Sequence, residues 1–229
     1  MNQILTVKEK LLAVETRIAG AAARAGRKRE DITLVGVTKK ATLEAIREAY
    51  DAGLKVFGEN KVQEAETKIP LADFAAEWHM IGHLQTNKIK TAAALFSFIQ
   101  SVDSLRVAKA LSRASAESAK TIKILLEVNI SQEPQKYGFN SQEIYRAIEE
   151  IAALPFISIQ GLMGMAPLTE DESGKRAAFK ELKGLFSVCK SIKKENIAMR
   201  YLSMGMSDDF ELAIEEGSNM VRIGRAIFS

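Results

Sequence analysis

The sequence has very little of several residue types that define whole classes of protein. Its 229 residues include one cysteine, Cys189, four prolines, one tryptophan and two histidines. A single cysteine cannot close an internal disulfide, and it cannot build a thiolate-rich metal centre. We therefore expect neither a disulfide scaffold nor a metal-binding module. The near absence of cysteine also favours a reducing compartment, and we expect a cytoplasmic protein.

Charge of one sign and long apolar runs are also scarce. The net charge is only +3, from 32 basic and 29 acidic residues that are mixed along the chain. Nucleic-acid-binding proteins concentrate basic residues in patches, so this distribution predicts no nucleic-acid partner. The opening segment, MNQILTVKEKLLAVETRIAG, spaces its apolar residues at helical intervals between charges. This pattern predicts an amphipathic helix and neither a signal peptide nor a membrane span.

The chain does contain eight short β-rich runs separated by helix-like segments. The runs cover residues 33–39, 55–59, 77–83, 96–102, 123–129, 158–165, 199–205 and 220–225. Continuously apolar strands are typical of a parallel sheet covered by helices. Several intervening segments, such as TLEAIREAYDAG and SLRVAKALSRASAESAK, open on Thr or Ser, which cap helices.

This alternation predicts one (β/α)₈ TIM barrel over residues 1–229, with an extra N-terminal helix that closes at Gly26. A doubly wound parallel sheet is the alternative. It is less favoured because no G-x-G-x-x-G follows the first run and no G-x-x-x-x-G-K-[ST] occurs in the sequence.

Two lysines, Lys39 and Lys40, follow the first apolar run. Active-site residues of a TIM barrel lie at the C-terminal ends of its strands, so these two lysines are candidate functional residues. Partial desolvation of an ammonium group favours the neutral amine, which forms Schiff bases with aldehydes. Strand alternation places the two lysines on opposite faces and does not choose between them.

The turns after the seventh and eighth runs predict a phosphate site. Gly205 leaves the seventh run, and we expect Ser207 to cap the helix that follows. Gly224 closes the eighth run and again leaves the backbone accessible. Phosphates in TIM barrels often bind at these two loops. Because the first and eighth strands are neighbours in a closed barrel, a lysine and a phosphate site would share one mouth, which suits an aldehyde cofactor such as pyridoxal phosphate (PLP).

Other polar residues at strand ends allow two readings. His79 and His83 have the spacing of a helical metal pair, but four residues of strand span roughly 13 Å, so they cannot share an ion. Glu59, Asn60 and Asn129 either line the mouth of the barrel or cap the helices that follow.

Long motifs in the chain resemble the pyridoxal phosphate homeostasis protein family, which is related to the alanine racemase barrel. They are GVTK, FGENKVQEA, WHMIGHLQTNK, SVDS, LLEVNIS with KYGF, GLMGMAP, SMGMSDDFELAI and GSNMVRIGRAIF. The resemblance implies that Lys39 holds PLP as a Schiff base. It also implies that Ser203 and the backbone of Gly205, Gly224 and Arg225 hold the phosphate. Arg222 would face the pyridine nitrogen, and Asn60 would line the pocket.

The resemblance further implies a carrier of PLP in vitamin B6 and amino-acid homeostasis, with no catalytic residue. A guanidinium at Arg222 disfavours protonation of the ring nitrogen and so weakens the cofactor as an electron sink. The chain ends at Ser229, which leaves no length for the added domain of the racemases. We expect a monomer whose candidate recipients are apo forms of PLP-dependent enzymes. A PLP-dependent racemase or decarboxylase and a cofactor-free aldolase acting through Lys39 are the alternatives.

Overall fold

The structure, a computed structural model, describes residues 5–131, 133 and 136–229. Within these residues, parallel strands form a closed barrel in chain order, and the last strand pairs with the first. The predicted TIM barrel is confirmed and the doubly wound sheet is excluded. The strands are Thr33–Val37 (β1), Val56–Glu59 (β2), Glu77–Met80 (β3), Phe98–Val102 (β4), Ile122–Val128 (β5), Ile157–Gly164 (β6), Ile197–Ser203 (β7) and Met220–Ile223 (β8).

Helices connect and cover the strands, and each predicted run is found as a strand between them. The predicted N-terminal helix is present, although residues 1–4 of its predicted segment lie outside the described residues. The helices are Val7–Arg24 (α1), Leu43–Asp51 (α2), Val62–Lys68 (α3), Ile89–Leu95 (α4), Leu105–Glu117 (α5), Ile144–Ala152 (α6), Glu172–Cys189 (α7), Phe210–Glu215 (α8) and Arg225–Phe228 (α9). None of them combines the length and apolar character needed to cross a membrane, within the part of the chain that the structure describes.

Local sequence explains where several helices begin. The hydroxyls of Thr6, Thr42 and Ser104 each accept a hydrogen bond from a backbone N–H of the first turn of α1, α2 and α5. After α1 the chain turns through Gly26, which has a φ of 67°. Positive φ of this size favours glycine, so the predicted end of the first helix is confirmed.

The expected cap of the helix after β7 is wrong. Helix α8 begins at Phe210 rather than after Ser207. The turn before it is closed by Asp209, whose Oδ1 accepts a hydrogen bond from the backbone N–H of Met206 over 2.6 Å. The N–H groups of Asp209 and Phe210, from which a capping Ser207 would accept, donate instead to the carbonyl of Met206, and Ser207 is left at the barrel mouth.

The interior of the barrel is apolar at its base and polar towards its mouth. Five buried residues from different strands form the apolar layer: Val35, Phe98, Leu125, Met163 and Met220. Side chains of a strand alternate in direction, so the next inward position lies two residues further along. On three of these strands that next position is polar and buried, namely Gln100, Glu127 and Arg222. Ser203 is also buried and follows by two residues Tyr201 of β7, which packs against the apolar layer. This polar layer forms the floor of the site.

Candidate functional site

A cavity of about 500 Å³ opens at the C-terminal ends of the strands. Five of the seven predicted binding residues line it: Lys39, Asn60, Arg222, Gly224 and Arg225. Ser207, His83, Glu127 and Tyr137 also contribute to the lining. Ser203 and Gly205, the other two predicted binding residues, are not part of the lining.

Lys39 lies in a turn beyond the end of β1. The strand ends at Val37, and the backbone N–H of Ala41 donates to the carbonyl of Thr38 over 2.9 Å to close the turn. The expected desolvation of Lys39 is therefore wrong, because the side chain is exposed. Its amine has no hydrogen bond or ion pair to any described residue. Lys40 has a φ of 62° and is not part of the cavity lining.

A buried ion pair fixes the residue before Lys39. The carboxylate of Glu59 is fully buried, and its Oε1 accepts hydrogen bonds from Thr38 Oγ1 and Lys68 Nζ, each over 2.7 Å. Lys68 Nζ also donates to the carbonyl of Thr38 over 2.8 Å. Lys68 is the last residue of α3, and sequence reasoning missed it because an ordinary helical lysine gives no local signal. The network anchors the turn that carries Lys39.

Arg222 is held by the barrel interior. Its Nη1 donates to Ser203 Oγ over 2.6 Å, and its Nη2 donates to the carbonyl of Gly164 over 3.1 Å. Desolvation lowers the pKa of Arg222 to about 10, so the guanidinium is still cationic at neutral pH. A buried cation therefore lies at the floor of the cavity.

The side chain of Ser203 contacts Arg222 and does not line the cavity. Its hydroxyl is fully buried, accepts from Arg222 and donates to Gln100 Oε1 over 2.7 Å. A phosphate oxygen would have to accept the hydroxyl proton of Ser203, and that proton is already donated to Gln100. This geometry does not favour direct contact between Ser203 and a phosphate, whereas Ser207 lines the cavity itself.

Two glycines bring the backbone close at this end of the barrel. Gly205 has a φ of +96°, and a Cβ there would lie 2.6 Å from the Cβ of Ala213 on α8. A Cβ on Gly224 would lie 2.9 Å from the carbonyl oxygen of Val37 on β1. Gly205 therefore permits the packing of α8 against its loop. Gly224 permits the close approach of the β8 end to β1, beside Lys39.

The opposite wall of the cavity carries acidic and aromatic groups. Glu127 on β5 is buried, and its desolvation, together with the nearby charge of Asp103, raises its pKa to about 7. His83 Nδ1 and Asp103 Oδ2 are 2.8 Å apart, and the His83 ring stacks on Tyr137 with 3.6 Å between centroids. Sequence reasoning missed Glu127, although its position two residues after the inward Leu125 signals that it faces inward.

The remaining candidates separate into structural and lining roles. His79 is buried in the interior, where desolvation lowers its pKa, whereas His83 lies at the cavity. The described residues contain no group of three His, Cys, Asp or Glu side chains able to hold a metal ion. Asn129 donates to the carbonyl of Glu133 over 2.9 Å and so ties its own loop. Asn60 lines the cavity with a buried Oδ1 that has no hydrogen-bond partner in the described chain.

Comparison with known proteins places this architecture in a family. Residues 11–229 match the family model described as alanine racemase, N-terminal domain. A pyridoxal phosphate homeostasis protein of Pseudomonas aeruginosa is 38% identical over 97% of this chain and 95% of its own length. A protein of the same name from Aquifex aeolicus is 39% identical over 96% of both chains. The chain belongs to the pyridoxal phosphate homeostasis protein family.

Solved structures agree with this assignment to the pyridoxal phosphate homeostasis protein family. A protein of Bifidobacterium adolescentis superposes with a TM-score of 0.92 at 34% identity, over 99% of this chain and 98% of its own. PipY of Synechococcus elongatus, solved with PLP bound, gives a TM-score of 0.85 at 30% identity over 98% of this chain and all of its own. The alanine racemase of Corynebacterium glutamicum, at 16% identity and a TM-score of 0.67, shares the fold.

Proposed function

We propose that this chain is a single-domain PLP-binding protein of cytoplasmic vitamin B6 and amino-acid homeostasis, which holds the cofactor on Lys39 without turning over a substrate. One observation carries the proposal. Lys39, whose amine pairs with none of the residues that the structure describes, lines the same cavity as the cations Arg222 and Arg225. PLP combines an aldehyde with a phosphate, and this wall offers a nucleophile for the first and positive charge for the second.

The residues present fit the cofactor. The electron pair of Lys39 Nζ would add to the aldehyde carbon, and the aldehyde oxygen would leave as water with the two protons of the amine, so that a C=N bond would replace C=O. The phosphate would be held by Ser207, Arg225 and the open backbone at Gly224. Arg225 pairs with Asp208 in this structure, so its guanidinium already lies at the loop after β7.

Arg222 supports a carrier rather than an enzyme. PLP supplies an electron sink when its ring nitrogen is protonated. A guanidinium facing that nitrogen opposes protonation, because two positive charges would then be buried together. Arg222 is buried and its position is fixed by Ser203 and Gly164. The chain would therefore hold the cofactor in a form that is poorly suited to carbanion chemistry.

Two adjacent lysines provide a matched test of covalent binding. The purified chain is loaded with PLP, reduced with borohydride, digested and analysed by mass spectrometry. We expect to find the pyridoxyl group on Lys39. Lys39→Ala should lose the visible absorbance of the bound cofactor, and Lys40→Ala should retain it, because Lys40 does not line the cavity. An adduct on Lys40, or no adduct, would contradict the proposal.

The alternatives give different results with the same protein. Incubation of the loaded chain with L-alanine should leave the optical rotation unchanged beyond the background of free PLP. Turnover on the order of 1 s⁻¹ or faster would identify an enzyme and overturn the carrier role. A chain that takes up no PLP, but forms a reducible adduct with a sugar phosphate at Lys39, would instead be an aldolase.

A further inference from the structure

Charges of opposite sign occupy opposite sides of the cavity. Lys39 and Arg222 come from β1 and β8, which are neighbours in the barrel. Glu127 and Asp103 come from β5 and the loop after β4, and in a ring of eight strands these lie across the barrel from β1 and β8. The cationic side suits a phosphorylated aldehyde. The acidic side is not explained by that ligand, because phosphate and carboxylates repel.

On the acidic side, Glu127 has no hydrogen-bond or ion-pair partner among the residues that the structure describes. Its side chain is 4% exposed and lines the cavity. It makes no side-chain hydrogen bond and no ion pair with the described residues. The oxygens of Glu127 are reached from the cavity, so a ligand there that carries N–H groups would supply the donors that the described residues do not. The charged groups facing it are Asp103 beyond β4 and Arg222 on β8, and His83 and Lys39 share the cavity lining.

The surroundings of Glu127 suit a cation with N–H groups better than a metal ion. Metal binding needs several converging donors, and the described residues hold no cluster of three His, Cys, Asp or Glu side chains. His83 Nδ1 is engaged by Asp103 over 2.8 Å. A primary ammonium group needs only one carboxylate and neighbouring acceptors, and it carries three donors.

We propose that Glu127, flanked by the His83–Asp103 pair, is a subsite for the ammonium group of a primary amine beside the Lys39 site. The ammonium binds as an ion pair with the carboxylate. Before the bound amine attacks an aldehyde, the carboxylate accepts one proton from the ammonium, which leaves a neutral amine and a neutral carboxylic acid. The neutral amine is the form that competes with Lys39 Nζ for an aldehyde carbon. This role rests on the proposed function and adds to it how the cofactor is released, namely to an amine that enters the same cavity.

The binding half of the proposal is tested on the cofactor-free chain. The carboxyl group of Glu127 is followed by NMR as a function of pH, alone, with methylammonium and with tetramethylammonium. Methylammonium should lower the apparent pKa of Glu127, because a bound cation with N–H donors favours the carboxylate. Tetramethylammonium has the same charge and no N–H, and it should have little effect. Equal shifts with both cations, or no shift with either, would overturn the subsite.

The release half uses the loaded chain. The rate at which methylamine removes PLP is divided by the rate of spontaneous loss. Glu127→Gln should lower this ratio by roughly 10²-fold, the scale of a lost proton acceptor. Glu149→Gln, an exposed change on α6, should leave it unaltered. An unchanged ratio in Glu127→Gln would overturn the role in release. The titration requires neither the variant nor PLP, so failure of the subsite is distinguishable from failure of the chain to bind the cofactor.

Discussion

Arg222 and Ser203 are joined by a hydrogen bond of 2.6 Å that begins a directed chain through the barrel interior. Ser203 donates to Gln100 Oε1 over 2.7 Å, and Gln100 Nε2 lies 2.8 Å from His79 Nδ1. Because an amide nitrogen can only donate, His79 Nδ1 accepts and its proton lies on Nε2, which is 3.4 Å from Glu77 Oε1. The position of Arg222 therefore depends on residues that do not touch the cavity.

Two serines of one motif should respond differently to the same substitution. Ser203→Ala removes the partner of both Arg222 and Gln100 in the interior, so the free energy of unfolding should fall by roughly 1–3 kcal/mol. Ser207→Ala lies at the cavity and should change stability by less than about 0.5 kcal/mol. It should nevertheless weaken PLP binding, with a higher dissociation constant in a fluorescence titration. Direct binding of the phosphate by Ser203 would be indicated if Ser203→Ala weakened PLP binding without loss of stability.

The buried Glu59–Lys68 pair should be far more sensitive than an exposed pair of the same type. Lys68→Met leaves the fully buried carboxylate of Glu59 without its cation, which should cost about 3–5 kcal/mol in denaturant unfolding. Lys90→Met breaks the pair with Glu117, whose side chains are 81% and 59% exposed, and should cost at most about 1 kcal/mol.

The same substitution should also disturb the turn before Lys39, because Lys68 Nζ holds the carbonyl of Thr38. We expect slower formation of the PLP adduct on Lys39 in Lys68→Met than in Lys90→Met. The double variant Glu59→Gln/Lys68→Met should recover part of the stability, since no buried charge remains. If Lys68→Met and Lys90→Met lowered the free energy of unfolding equally, the buried pair would contribute no more to stability than the exposed pair.

The fold was predictable because its signal is spread over many residues. Each of the eight apolar runs overlaps an observed strand, and the structure moves the ends by only a few residues. Turns were less predictable, since they depend on single competing bonds. Asp209 and Ser207 are both able to cap a helix, and only the observed bond from Met206 N to Asp209 shows which residue closes the turn.

The site was predictable where residues follow the strand ends and less so inside the barrel. Lys39, Arg222 and Gly224 line the cavity. Ser203 also faces inward but does not line the cavity, because its hydroxyl is covered by Arg222 and is engaged by Arg222 and Gln100. The alternation of side chains along β5 also indicates that Glu127 faces inward. Its importance was not predictable, because the absence of a partner depends on the packing of the whole barrel and not on the neighbouring residues in the sequence.

Two glycines should give effects of opposite sign when changed to alanine. Gly205 has a φ of +96°, and a Cβ there would lie 2.6 Å from Ala213 Cβ and 2.9 Å from Phe210 Cα. Gly205→Ala should therefore destabilise the protein by roughly 1–3 kcal/mol. Gly184 is exposed within α7 and has open space around it, so Gly184→Ala should stabilise by about 0.5–1 kcal/mol. Thermal and denaturant unfolding of both variants measure this contrast, and a loss at Gly184 or a gain at Gly205 would contradict it.

The raised pKa of Glu127 predicts a specific dependence of stability on pH. The pKa is about 7 in the folded protein and 4.5 for an unperturbed glutamate. Between these values the folded state binds the proton more tightly than the unfolded chain, so the contribution of Glu127 is fully present below pH 4.5 and is lost as the pH rises to about 7. The shift corresponds to roughly 3 kcal/mol.

Glu127→Gln isolates this contribution, because the amide does not titrate. In the cofactor-free chain, the free energy of unfolding of the variant minus that of the wild type should increase by roughly 3 kcal/mol from pH 4.5 to above pH 7. Urea unfolding at several pH values gives the difference directly. Glu149→Gln, on the exposed face of α6, should show a constant difference. A difference for Glu127→Gln that stays constant or decreases with pH would mean that a partner already satisfies the buried carboxylate, and the unpaired group on which the amine subsite depends would be lost.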